Sequence, residues 1–108
     1  MRYVCVFLFP VFVADALAQN DSLLMKLWID RARQQMNVDA NVGKKYLDSL
    51  GDFLDRHPDH QFQRAEHQKF LGIYYYRKTN YDSALWYYAQ AANIYAKLDN
   101  ELEKAKVL

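Results

Sequence analysis

The sequence predicts an all-α protein in which about five helices pack as antiparallel pairs. Apolar residues recur at steps of three and four along most of the chain. The 108 residues include only three Gly and two Pro, too few for a turn-rich β sandwich or a Gly-rich phosphate loop. Hydrophobic residues make up 52% of the chain, which excludes disorder. Short predicted connections leave both a bundle and a solenoid open.

The first 18 residues are predicted to be a secretory signal peptide. Arg2 supplies a positive charge, Tyr3–Ala14 is apolar, and Ala16 and Ala18 form the small-x-small pattern that signal peptidase cleaves, here before Gln19. An apolar run of about 12 residues is too short to span a bilayer, which needs about 20. A retained anchor and a buried helix or strand are the alternatives. We therefore expect a chain that is exported, into a bacterial periplasm or the medium.

The first two helices are bounded by polar residues and by a proline. Asn20, Asp21 or Ser22 is predicted to cap the first helix. Its apolar stripe comprises Met25, Trp28, Ile29, Ala32 and Met36, and residues 37–39 read as a break. The second helix carries Val42, Tyr46, Leu50, Phe53 and Leu54. It is predicted to end at 57–59, because a residue before proline disfavours the α conformation.

Three further helices are predicted after Pro58. The third covers 61–77, and the fourth covers 81–97 with Asn80 as its cap. A fifth is predicted to begin at Asn100, which together with Glu103 has the spacing of a capping box, and to be truncated at Leu108.

The third and fourth predicted helices carry seven residues in a recognisable register. They are Leu71, Gly72, Tyr75, Tyr81, Ala84, Tyr88 and Ala91. In spacing and residue type the 34 positions 65–98 resemble a tetratricopeptide repeat. The resemblance implies that these seven residues form the core of the repeat, where Gly72 allows close approach of two helices. Gln68, Thr79 and Ala96 depart from the repeat pattern.

The resemblance implies a solenoid of stacked helix pairs, divided into four segments. They are a signal peptide (1–18), a divergent helix pair (19–60), the repeat (61–98) and the truncated start of a further repeat (99–108). Since each repeat of a solenoid is stabilised by its neighbour, we expect the N-terminal piece of a longer protein. A short protein that associates with itself is the alternative.

Catalytic, metal and cofactor sites are not predicted. The only cluster that suggests a metal comprises His57, Asp59, His60 and His67, without a cysteine or a tight ligand pair, and it reads as a solvated loop. A net charge of +1 gives no basic footprint for nucleic acid. The aromatic runs 74–76 and 86–88 cannot form one stacking platform, because consecutive helical residues point about 100° apart.

The resemblance does imply a binding groove lined by the first helix of each repeat. The matching positions are Glu66, Lys69, Ile73, Tyr76 and Arg77. Their mixture of charge, aliphatic and aromatic character suits a protein or peptide partner, and an ordinary solvated face is the alternative.

The leader and the repeat together resemble exported bacterial tetratricopeptide proteins, especially those of Bacteroidetes. The segments concerned are ALAQNDSLL, Tyr81–Leu85 and Ile94-Tyr95. The resemblance implies a non-catalytic protein-interaction module that serves as the periplasmic input region of a sensor kinase or regulator. It would meet the membrane only through its signal peptide or a downstream span. The alternative is a stand-alone scaffold for envelope assembly or nutrient uptake.

Overall fold

The computed structural model describes the backbone of residues 10–107, and the side chains of residues 20–99 and of Glu101. The described backbone forms four helices and no strand, which confirms the all-α prediction. They are α1 (Pro10–Met36), α2 (Ala40–Arg56), α3 (Gln61–Arg77) and α4 (Tyr81–Val107). None of these helices is both long and apolar enough to cross a membrane.

The prediction of five helices is wrong. The predicted fourth and fifth helices are one continuous helix, α4, and Asn100 lies inside it. The chain contains neither Gly nor Pro after Gly72, so nothing in this segment forces a helix to stop. Extending a helix by one residue adds a hydrogen bond, whereas starting another requires a costly new nucleus. The capping-box spacing at Asn100 is therefore overridden.

The first helix also begins earlier than its predicted cap among residues 20–22. Helix α1 starts at Pro10, and proline is well suited to a first helical position because its missing N–H has no helical partner there. The signal-peptide prediction falls on residues 1–9, outside the described ones, and on the first part of α1. For Ala16, Ala18 and Gln19 only the backbone is described, so cleavage there stays a prediction.

The connections between the four helices lie where the sequence predicts them. Helix α3 spans 61–77 as predicted, and both predicted breaks before it are present. Asp39 caps α2, since its Oδ1 accepts a hydrogen bond from the Asn41 N–H at 3.0 Å. Asn80 caps α4 as predicted, accepting from the Ser83 N–H at 3.3 Å. Thr79, one of the departures from the repeat pattern, adopts a φ of 61° in this turn, a conformation that glycine adopts more easily.

The contacts between helices define their directions. Helices α1 and α2 are antiparallel, as Trp28 meets Phe53 with ring centroids 5.8 Å apart. Helices α3 and α4 are antiparallel as well, because Tyr75 stacks on Tyr87 near one end. Their opposite ends meet where Phe62 contacts Tyr95.

Helices α1 and α3 are parallel neighbours. The Arg33 guanidinium lies 5.6 Å from the centroid of the Phe70 ring, and Arg77 donates a 2.6 Å hydrogen bond to Asn37 beyond the end of α1. The first helices of the two pairs therefore lie side by side. We call the surface that they share the front face. It is formed by Lys26, Ile29 and Arg33 of α1 and by Phe62, Glu66 and Lys69 of α3.

The core lies among α1, α2 and α3 and consists of two aliphatic-rich clusters. One comprises Ala32, Met36, Leu47, Phe70 and Leu71. The other comprises Met25, Leu50, Phe53 and Leu54. Ile29 packs against both, so the clusters form one continuous interior. This core holds α3 in place against α1 and thereby fixes the front face.

Candidate functional site

The five residues predicted to line a groove lie on α3 but are not equally available. Ile73 packs against the core, and Arg77 is engaged with Asn37. Tyr76 is exposed and lies edge-on against Tyr81, with ring centroids 5.4 Å apart. Lys69 is partly exposed over the Phe70 ring and forms an ion pair with Glu66, with 3.2 Å between Nζ and Oε2.

Glu66 is a mostly buried polar group of the front face, and neighbouring side chains bond to it. Its side chain is only 12% exposed, and it accepts a hydrogen bond from the Tyr95 hydroxyl of α4. Burial, together with this hydrogen bond and the nearby carboxylate charge, raises the pKa of Tyr95 well above its ordinary value. Tyr95 therefore remains a protonated hydrogen-bond donor at neutral pH, and the pair joins α3 to α4.

A cleft opens along the front face between α1 and α3. Its volume is about 510 Å³. Its walls include Lys26, Ile29, Asp30 and Arg33 of α1, with Phe62 and Glu66 of α3. Asp30 pairs with Arg33 at 3.5 Å, so the charges of this α1–α3 cleft largely balance one another. Of the five predicted groove residues, Glu66 is among its lining.

A second cleft, the α3–α4 cleft, lies where the start of α3 meets the second half of α4. It has a volume of about 420 Å³ and is lined by Phe62, Tyr95, Leu98, Asp99 and Glu101. Phe62 lines both clefts, and 54% of its surface is exposed. The two clefts therefore adjoin at one exposed aromatic ring.

A third, smaller cleft faces the other way and is lined by α2, α3 and α4. It contains about 260 Å³, and its walls include Lys44, Asp48, Asp55 and His67. His67 is buried, donates from Nε2 to the Leu47 carbonyl at 2.9 Å, and has its pKa lowered chiefly by burial. Lys44 pairs with Asp48 at 2.8 Å, which raises the Lys44 pKa. His67 and Lys44 are therefore already bonded within the protein.

Metal ligation finds no support in the described part of the chain. Among its side chains there is no group of three His, Cys, Asp or Glu that could hold a metal ion. His57 stacks on Phe53 with ring centroids 4.4 Å apart, and His67 is committed to Leu47. His67 is therefore a buried residue of α3 that binds α2, so the prediction of a solvated loop is wrong for it, whereas His57 caps α2 and stacks on a ring of the same helix.

The seven residues predicted as repeat core separate into three groups. Leu71, Gly72, Ala84 and Ala91 are buried, and Tyr75 and Tyr88 are half-buried. Tyr81 is 53% exposed, so the expectation of a core residue fails there. As the first residue of α4 it lies edge-on against the exposed ring of Tyr76.

Sequence reasoning missed the residues around which the clefts are built. Phe62 stands alone among polar neighbours at a helix start, so no apolar stripe drew attention to it. Tyr95 and Leu98 lie on the apolar stripe of the predicted fourth helix, together with Ala84, Tyr88 and Ala91. Asp99 lies in the predicted connection after that helix, and Glu101 in the first turn of the predicted fifth helix. A continuous helix through Asn100 would have placed these last two beside Leu98.

No protein-family model, curated protein or solved structure matches this chain.

Proposed function

We propose that this chain is a non-catalytic protein-interaction module, and that its front face holds an extended segment of a partner protein. The main support for this proposal is the pair of clefts that adjoin at the exposed ring of Phe62. Volumes of about 510 and 420 Å³ suit side chains of a peptide that crosses from one cleft to the next.

The composition of the front face supports a polypeptide ligand. Protein interfaces place aromatic and apolar anchors at the centre and polar groups around them. Phe62 and Ile29 supply apolar contacts, and Lys26, Asp30 and Arg33 border them. Because α1 and α3 run parallel, these residues form two rows along which an extended chain can lie.

The engagement of the polar groups supports a non-catalytic role. Glu66 is held by Lys69 and Tyr95, and Asp30 by Arg33. A general base needs a pKa near the working pH, whereas the Tyr95 pKa is raised above its usual range. The predicted leader and the resemblance to exported repeat proteins extend the proposal to a periplasmic sensory input region.

The test is selection of peptides from a displayed random library against the full-length chain, followed by affinity measurement with two groove variants. We expect Lys26→Ala and Arg33→Ala, at two exposed cations of the α1–α3 cleft, each to weaken binding of the selected peptides by roughly threefold to tenfold, since interface side chains contribute unequally. Lys45→Ala is the matched control, because Lys45 is an exposed cation on α2. An equal loss for Lys45→Ala, or a selection that enriches no peptide, would contradict the proposal.

A further inference from the structure

We propose that the α3–α4 cleft binds a cationic side chain, a lysine or an arginine, contributed by the partner segment. This inference rests on the proposed function, because it assigns the chemistry of one residue of that segment. It is carried by the lining of the cleft, which combines aromatic rings with two carboxylates.

The walls of the cleft are apolar and aromatic. The Phe62 and Tyr95 rings lie 6.0 Å apart between centroids at an interplanar angle of 66°, and Leu98 completes the apolar lining. Two rings in an edge-to-face arrangement present a ring face and a ring edge to the same space. An aliphatic stem packs on such a surface, and a cation is attracted to a ring face within about 6 Å.

The polar groups of the cleft carry one sign of charge. Asp99 and Glu101 belong to its lining, and none of its described lining residues is a lysine or an arginine. Among the side chains that the structure describes, neither carboxylate takes part in an ion pair, and Lys97 does not bridge to Glu101. The described lining therefore places two carboxylates beside an apolar surface.

The neighbouring α1–α3 cleft differs in its charges. In that cleft Asp30 is paired with Arg33, and Glu66 with Lys69, so each lining carboxylate already has its cation. In the α3–α4 cleft, by contrast, Asp99 and Glu101 lie beside two aromatic rings and pair with no described cation. The cationic residue of the partner is thus assigned to this end of the groove.

The experiment titrates the isotope-labelled full-length chain with N-acetyl-arginine amide and with N-acetyl-norleucine amide, followed by NMR. The two probes share an aliphatic stem and differ in charge. We expect the arginine probe to shift the resonances of Phe62, Tyr95 and Leu98 and to bind at least about threefold more tightly than the norleucine probe. Added salt should weaken only the charged probe.

Two variants separate charge from shape. Asp99→Asn combined with Glu101→Gln should reduce the arginine affinity to that of norleucine, while the norleucine affinity stays the same. Asp82→Asn is the matched control, because Asp82 is an exposed carboxylate at the other end of α4. It should leave both affinities unchanged.

Equal binding of the two probes, shifts that avoid Phe62 and Tyr95, or an unaltered affinity in the double variant would each overturn this inference. Its failure is distinguishable from failure of the proposed function. If selected peptides depend on Lys26 and Arg33 but the arginine probe does not bind, only the cationic assignment fails. If the probe binds and no peptide is ever selected, the cleft stands and the interaction function fails.

Discussion

The interior among α1, α2 and α3 differs in kind from the interface between α3 and α4. The first is aliphatic and closed: Met25, Leu47, Leu50 and Leu54 are almost completely buried. The second is aromatic and half-open: Tyr75 stacks on Tyr87, the half-buried Tyr88 ring lies against Gly72, and the buried residues of α4 are the small Ala84 and Ala91. Next to it, Leu85 remains 67% exposed.

The difference shows how stability and binding are divided within one small chain. Apolar burial contributes in proportion to the area removed from water, so the closed interior should dominate the free energy of unfolding. The half-open interface buries less and leaves Phe62 and Tyr95 at the edge of a cleft. Binding surface is therefore retained where the packing is incomplete.

The most severe change should come from truncation within the closed interior. Leu50→Ala removes a fully buried side chain from the cluster with Phe53 and Leu54, and should lower the free energy of unfolding by about 2–5 kcal/mol. A urea titration followed by circular dichroism measures this loss. The matched control is Leu85→Ala, which removes the same atoms from an exposed site and should cost less than about 0.5 kcal/mol. Equal losses for the two variants would contradict the contrast.

A smaller loss is expected at the half-open interface. A Cβ at position 72 would lie 2.7 Å from two atoms of the Tyr88 ring, so Gly72→Ala forces the ring outwards. Overpacking costs about 1–3 kcal/mol, and the better helix propensity of alanine offsets about 1 kcal/mol of that. We therefore expect a net destabilisation of about 0–2 kcal/mol in the same urea titration.

A double-mutant cycle tests whether the ring is the cause. In a Tyr88→Leu background the obstructing ring is absent, so Gly72→Ala should become neutral or stabilising there. If the alanine is equally destabilising in both backgrounds, the close approach of Gly72 to Tyr88 does not determine the cost.

The helices and the core were predictable because they depend on local patterns. The breaks at 37–39 and 57–59 follow from polar residues and from Pro58, and the limits of α3 follow from the same signals. Buried Leu71, Ala84 and Ala91 belong to stripes that the helical period reveals. Such features require no knowledge of which helices become neighbours.

The clefts were not predictable for the opposite reason. The α3–α4 cleft requires that Phe62 meet Tyr95, an arrangement that only tertiary packing creates. It also requires that α4 continue through Asn100, where a local capping signal indicated a new helix. The exposure of Tyr81 likewise depends on which elements pack beside α4. Residue spacing does not reveal those neighbours.

The smallest expected effect concerns a buried polar contact between α2 and α3. His67 of α3 is buried against α2 and donates to the Leu47 carbonyl, and Gly51 leaves room for its ring. Burial is the largest cause of the lowered pKa of His67; the hydrogen bond to Leu47 acts in the opposite direction. In the unfolded chain the histidine titrates near its ordinary pKa of 6.5.

This difference in pKa makes stability depend on pH. Below pH 6.5 the unfolded chain binds a proton that the folded chain does not, so the stabilisation is fully present above that pH. It is lost as the pH falls towards the lowered pKa of the folded state. The midpoint of urea unfolding should therefore decrease between pH 7.5 and pH 5.5, a range above the ordinary titration of carboxylates.

His67→Gln keeps a donor for the Leu47 carbonyl but cannot titrate, so its midpoint should change less between the two pH values than that of the unsubstituted chain. The comparison uses the change with pH, because the substitution itself alters stability at every pH. His57→Gln, at an exposed position, should retain the full decrease. If His67→Gln loses as much stability on acidification as the unsubstituted chain, the buried imidazole is not the group that weakens the contact between α2 and α3.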